Sequence, residues 1–80
     1  MIIIGNILKN MRINANITQK NIGSNLNVAE NTISNYERSY SQPDFDTILK
    51  IIKLCGYDLK IYDANGKEIN LEKYSIDPNI

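Results

Sequence analysis

Five side chains with short hydrogen-bonding ends crowd the stretch AENTISNYERS: Glu30, Asn31, Thr32, Ser34 and Asn35. An amide offers donor and acceptor side by side, a carboxylate accepts only, and a hydroxyl does either, so together they form a surface suited to reading another molecule's polar edge. Around them Ile22, Leu26, Val28, Ile33 and Tyr36 are spaced as two short helices on a common core require. The polar set then faces outward. A merely solvated face would share this composition, and what lies around it decides between the two explanations.

Little other chemistry is on offer. The chain has no histidine, which removes the commonest general base, and its single cysteine can neither close an internal disulfide nor complete a zinc set. No Ser/His/Asp or Cys/His arrangement, phosphate-binding glycine loop or cluster of metal-binding carboxylates occurs. The sequence predicts no catalytic residue, no metal site, no cofactor and no enzyme. Cys55 is expected to be a buried packing residue.

Eighty residues make one small domain whose core alone gives thin stability, so self-association is expected. No segment approaches a membrane span, and the opening Met-Ile-Ile-Ile has no basic leader, so the expectation is a cytoplasmic protein without a membrane partner. The formal charge of zero argues mildly against nucleic acid as a partner. Its distribution argues the other way. Lys9, Arg12, Lys20 and Arg38 outweigh Glu30 and Glu37 up to Tyr40, whereas acids outnumber lysines from Ser41 onward.

The elements that must hold the polar set follow from periodicity. Ile4, Ile7, Leu8 and Met11 recur at helical spacing, predicting a helix from Ile3 to about Ala15 that ends at a left-handed Asn16. Thr18 is a predicted N-cap for a helix over Gln19 to Leu26, in which Gly23 would let another helix approach closely. Asn27 reverses the chain, and a third helix runs from about Ala29 to Arg38. After the loop SYSQPD, Asp44 caps a fourth helix whose Phe45, Ile48, Leu49 and Ile52 form the predicted core stripe, and Gly56 ends it. Tyr57, Leu59 and Ile61 then alternate with polar residues, as do Ile69 and Leu71 beyond the turn DANGK. A three-residue loop with Gly66 left-handed would pair Ile61 with Ile69 and Leu59 with Leu71 in a β-hairpin. A hairpin is marginal alone, so its apolar face must lie on the fourth helix or on the same hairpin of a second copy.

Two tight helices, the later one polar outside, are the physical form of a helix-turn-helix, in which one helix enters the DNA major groove. The chain resembles the Cro/repressor-type (XRE) helix-turn-helix family over roughly residues 4 to 56: Ile4-Gly5 with Leu8 and Arg12, Thr18-Gln19, Thr32-Ile33-Ser34, Tyr36-Glu37, then Pro43 and FDTILKII. The resemblance implies a mostly α, lambda-repressor-like domain of four to five helices over residues 1–56, followed by a β-hairpin over 57–73 and a tail over 74–80. It makes the third helix the recognition helix, with Glu30, Asn31, Thr32 and Asn35 meeting base edges. Asparagine can bond adenine through N6 and N7, glutamate can accept from cytosine N4, and a threonine methyl can touch thymine. Glu30 is opposed by phosphate repulsion. Thr18, Gln19, Lys20, Arg38, Ser39 and Tyr40 become the phosphate contacts, and Arg12 with Glu37 an ion pair that joins the first helix to the end of the third.

Two departures from the family stand out. Ala29 replaces the usual Ser or Thr cap of the recognition helix, unless Asn27 caps it with Glu30 three residues on. Ser39 replaces a common glycine. The C-terminal LCGYDLKIYDANG is similar to HipB-type antitoxins, whose C-terminal strands pair across a two-fold axis. That resemblance implies a homodimer joined through Leu59, Ile61, Ile69 and Leu71, a palindromic double-stranded operator and a toxin partner. The alternatives to a dimeric repressor are such an antitoxin, or a protein-interaction module that no longer binds DNA.

Overall fold

The computed structural model describes residues 1–79, so of the expected tail, 74–80, Ile80 lies outside the described residues. Four helices carry the core: α1 (Ile4–Asn14), α2 (Gln19–Leu26), α3 (Glu30–Glu37) and α4 (Phe45–Leu54). A fifth, α5 (Leu71–Tyr74), is a single turn. Leu8, Ile22, Ile33, Ile51, Ile52 and Cys55 form the buried centre, flanked by Ile4, Met11, Ala15, Ile17, Leu26, Tyr36, Ile48 and Leu54. Helix α3 packs on both α1 and α2, and α4 closes the far side of that pair.

Local chemistry sets the boundaries. Thr18 Oγ1 accepts from the Asn21 N–H at 3.0 Å, and Asp44 Oδ1 from the Thr47 N–H at 2.8 Å, satisfying first-turn donors of α2 and α4. Asn16 and Asn27 take φ of 58° and 59° and reverse the chain after α1 and α2. Asn27 is therefore committed to ending α2, and the alternative in which it caps α3 does not hold: Ala29 occupies the cap position, without a side-chain bond.

The Asp44 cap carries a pH dependence. Its hydrogen bonds with Thr47 lower the carboxyl's pKa below the ordinary aspartate value. Ionised Asp44 is thus favoured by folding, and its contribution is complete above the unfolded-state pKa and lost as pH falls through the folded one. Acid titration followed by circular dichroism is expected to show a loss of stability below the ordinary aspartate pKa that is smaller in Asp44→Ala.

Gly5 lets α1 meet the end of α3. A Cβ there would lie 2.5 Å from the Tyr36 carbonyl oxygen and 2.9 Å from that of Glu37, too close for any side chain. At Gly23 the crowding comes from the Val28 carbonyl, 2.8 Å from a Cβ. The approach expected from a neighbouring helix is thus made by the chain reversal into α3.

The core departs from the periodic expectation at three positions, since Leu49, expected in the core stripe, is only half-buried and lies outside the buried cluster. Val28 sits in the turn and is 39% exposed; Phe45, the first residue of α4, is 51% exposed. The buried face of α4 is rotated to Ile48, Ile51, Ile52 and Cys55, the i, i+3, i+4, i+7 set that faces α1 and α2.

Ser39 adopts φ of 63°, so the position where glycine was anticipated does need left-handed backbone. An L-residue there is strained by ~1–2 kcal/mol, partly offset by the greater flexibility glycine has when unfolded. Ser39→Gly is expected to raise stability by up to about 1 kcal/mol, read as a higher urea midpoint at unchanged slope.

The expected β-hairpin over 57–73 does not form as a pair of strands among the described residues. Tyr62 and Glu68 make one isolated antiparallel bridge, and the Ile69 N–H donates to the Ile61 carbonyl at 2.9 Å around a turn in which Gly66 has φ of 82°. The pairing stops there, and Leu59 finds no partner in Leu71. Asn70 Oδ1 instead accepts from the Lys73 N–H at 3.1 Å and starts α5 at Leu71. A residue read as the outward position of a strand is a helix cap. The Cα radius of gyration is 14.3 Å, against ~12 Å for a compact chain this long; residues 57–79 form a C-terminal arm beside α4, where Leu59, Ile69 and Leu71 share a cavity with Leu49 and Lys53, and Leu71 and Tyr74 share another with Phe45 and Leu49.

Candidate nucleic-acid interface

The α2–turn–α3 unit is fixed from behind by one buried network. Arg12 of α1 donates from Nε to Glu37 Oε2 at 2.6 Å and from the second guanidinium arm to Oε1 at 3.0 Å, a two-pronged grip on the last residue of α3. Its remaining nitrogen donates to the Ile17 carbonyl at 3.0 Å, just before α2. The Gln19 amide completes the set with a 3.0 Å bond to Glu37 Oε1. The Glu37 side chain is 3% exposed and that of Arg12 14%. Hydrogen bonding to Glu37 raises the Arg12 pKa against the opposing effect of burial, so the guanidinium stays charged. Cys55 is buried, and desolvation pushes its thiol pKa up, which suits packing rather than reactivity.

With its end clamped, α3 turns its polar side outward. Glu30 and Asn31 are exposed, whereas Thr32, Ser34 and Asn35 are half-buried, shading toward the packed side at Ile33. Asn31 and Asn35 stand one helical turn apart, and among the described residues neither side chain is tied up by an internal hydrogen bond. Glu30 lies in the first turn, where a carboxylate suits the helix dipole. Its place there is explained without a nucleic acid.

The residues expected to meet phosphates lie at the start of α2, which the Gln19–Glu37 bond brings to the C-terminal end of α3, and just beyond that end. Thr18 and Lys20 are exposed at the start of α2, with the Thr18 oxygen already accepting from Asn21. Gln19 is half-buried with its amide donating to Glu37, so it joins α2 to α3 as well as standing at a helix N-terminus. That second role was hidden in the sequence, because its partner is eighteen positions away and only folding brings them together. Beyond α3, the Arg38 guanidinium lies over the Tyr40 ring, 4.2 Å from its centroid, and both stay exposed beside Ser39. The N–H groups of Tyr40 and Ser41 bond the Asn35 carbonyl at 2.9 and 3.3 Å, folding this loop back on the helix. The whole polar surface is thereby rigidly mounted.

The residues expected to join two copies lie elsewhere, on the arm. Leu59 and Ile61 are exposed, and Ile69 and Leu71 half-buried. Tyr57, read with them as an apolar strand position, is exposed as well, and Tyr62, Tyr74 and Ile76 add apolar surface that the sequence pattern did not single out. No group of three or more metal-binding side chains occurs among the described residues, and no helix there is long and apolar enough to cross a membrane.

Comparison with known proteins agrees with this geometry. A family model described as helix-turn-helix matches residues 8–61. The HTH-type transcriptional regulator ImmR of Bacillus subtilis (strain 168) is 47% identical over 51 residues, which cover 64% of this chain and 40% of that protein. The chain spans less than half of that relative's length.

Proposed function

This chain belongs to the Cro/repressor-type (XRE) helix-turn-helix family, and on that premise we propose that it is a sequence-specific DNA-binding transcriptional regulator, acting as a dimeric repressor at its own promoter or a neighbouring one. The observation that carries this reading is α3 itself: Asn31 and Asn35 project from a helix whose far end is locked by Arg12 and Gln19 onto Glu37. Rigid mounting suits base reading, because a bidentate amide contact tolerates little movement. Asn31 and Asn35 are assigned to adenine, Thr32 to a thymine methyl and Glu30 to cytosine N4. Lys20, Arg38, Ser39, Tyr40 and the N-terminal turn of α2 at Thr18 and Gln19 are assigned to phosphates.

A single such module buries little surface on DNA, and a second copy multiplies affinity by making the second contact intramolecular. The exposed arm around Leu59 and Ile61 is the surface assigned to that pairing. It also supports the antitoxin variant of this reading, in which the arm or its neighbourhood holds a toxin; co-purification of the adjacent gene's product tests that variant.

The zero formal charge favours a second reading, a protein-interaction module without DNA binding. Salt separates the two. Arg12 is neutralised by Glu37, and Lys20 and Arg38 are the cations assigned to phosphates, so binding to the chain's own upstream region is expected to weaken with salt at about 0.9 log units per log unit for each phosphate neutralised. Gel shifts across a salt series measure this slope. Negligible binding even at low salt would select the interaction module.

A further inference from the structure

We infer that Asn65, at the tip of the arm and followed by Gly66, is a site of spontaneous deamidation whose rate is governed by Asp63. The reaction needs only water. The Gly66 backbone nitrogen, after losing its proton to a base, attacks Cγ of the Asn65 side-chain amide and closes a cyclic imide; the bond from Cγ to the side-chain nitrogen breaks, and that nitrogen leaves with a proton as ammonia. Water then adds to either ring carbonyl and opens the imide to aspartate or isoaspartate. One water is consumed and one ammonia released, with no change of oxidation state. Glycine in the following position presents no side chain to hinder the attack, and both residues are exposed.

The turn restrains this chemistry. The Gly66 N–H, whose proton must leave first, donates to the Asp63 carbonyl at 3.0 Å. The Asp63 carboxylate holds the flanking backbone through the same oxygen, accepting from the Asn65 N–H at 2.8 Å and from the Lys67 N–H at 3.0 Å. The Asp63 N–H closes the loop on the Lys67 carbonyl at 2.9 Å. Attack therefore requires the turn to open. Little else opposes opening: beyond the turn the two sides are joined by the Tyr62–Glu68 bridge, the Ile69–Ile61 bond and an exposed Lys60–Glu68 ion pair at 3.7 Å, a contact of small worth in water, and the loop is solvent-exposed throughout. Asp63 is a positioning residue: its carboxylate holds shut the turn in which its own backbone carbonyl keeps the Gly66 nitrogen occupied.

Isoaspartate at 65 would route the main chain through the side-chain carbon and lengthen the turn by a methylene. Lys67 could then no longer meet Asp63 and Ile69 no longer meet Ile61 in the present register. Any effect of this on pairing between copies rests on the dimer proposed above; the deamidation itself does not.

The test is to incubate the full chain at mildly alkaline pH and follow the peptide containing residue 65 by mass spectrometry, with enzymatic methyl labelling to count isoaspartate. Acid and isoaspartate are expected to accumulate at position 65 in the native chain and to be absent in Asn65→Gln. Asp63→Ala is expected to react about tenfold faster, since it loses two hydrogen bonds that hold the turn shut. Asp63→Asn keeps the accepting oxygen and is expected to stay near the native rate. Thermal melts of the helical domain, unchanged across the set, would place the acceleration in local opening. Absence of deamidation at 65 in both the native chain and Asp63→Ala, or one common rate in all three reactive forms, would overturn the proposal.

Discussion

Arg12→Ala is expected to destabilise the fold by about 3–5 kcal/mol, the cost of leaving a buried carboxylate without its cation. Glu37 is 5% exposed and cannot recover its hydration by a small movement. The donor left to it, Gln19 Nε2 at 3.0 Å, carries no charge. Against a total of roughly 4–12 kcal/mol for a domain of 80 residues, the loss is a large fraction and leaves the variant partly unfolded at ordinary temperature. Arg12→Lys should fall between the two, because an ammonium can neutralise Glu37 but cannot hold both oxygens and the Ile17 carbonyl in one plane. Replacing the pair together, Arg12→Met with Glu37→Leu, is expected to recover much of the stability lost by either single change, since no buried charge is then left unpaired. Urea unfolding of these three variants beside the native chain, followed by circular dichroism, provides the comparison. If Arg12→Ala unfolds at the native midpoint, the fork contributes little and the mounting of α3 must have another origin.

Asn31→Ala and Asn35→Ala are expected to do the opposite: leave the fold intact and remove recognition. Asn31 is exposed and Asn35 half-buried, and neither forms the core, so unfolding midpoints should barely move. Each bidentate contact to adenine contributes about 1–3 kcal/mol of discrimination, so each variant should lose roughly 5- to 150-fold in affinity for the specific site. Binding to unrelated duplex should stay the same, because the phosphate contacts are untouched. Competition gel shifts with specific and unrelated DNA, on protein checked for native helicity, give both numbers. Equal losses on both duplexes would mean that these residues act through the backbone or the fold.

These two expectations divide the network behind α3 from the surface in front of it, and they were not equally legible in the sequence. The helix boundaries were readable because they rest on local chemistry: Thr18 and Asp44 present an acceptor to a donor three residues on, and Asn16 and Asn27 take up positive φ. The Arg12–Glu37 contact was reached through family resemblance, since nothing local ties two residues twenty-five positions apart. Gln19 was placed on phosphate and its second partner missed for the same reason. Gly5 counted as a family sign, but its purpose lies in the carbonyls of Tyr36 and Glu37, which only packing brings there.

The arm misled for a different reason. Ile69 and Leu71 separated by one polar residue fit an alternating strand, but Asn70 is equally a helix cap, and the Lys73 N–H that it satisfies decides for a helix turn. With pairing confined to the Tyr62–Glu68 bridge and the bonds beside it, a short segment has too few cross-strand contacts to override that local bond. Phe45 and Val28 were assigned to the core by spacing alone, although each stands at the edge of its element, where the chain has not yet turned inward.

Every base contact assigned to Asn31 and Asn35 requires that α3 read a base sequence. Selection of duplexes from a random pool by the native chain, repeated with Asn31→Ala, tests it most directly. A palindrome with half-sites about one helical turn apart and adenines within each half is expected to be enriched, with preference lost at one adenine in the variant. An unenriched pool, or an identical selected site with the variant, would contradict it.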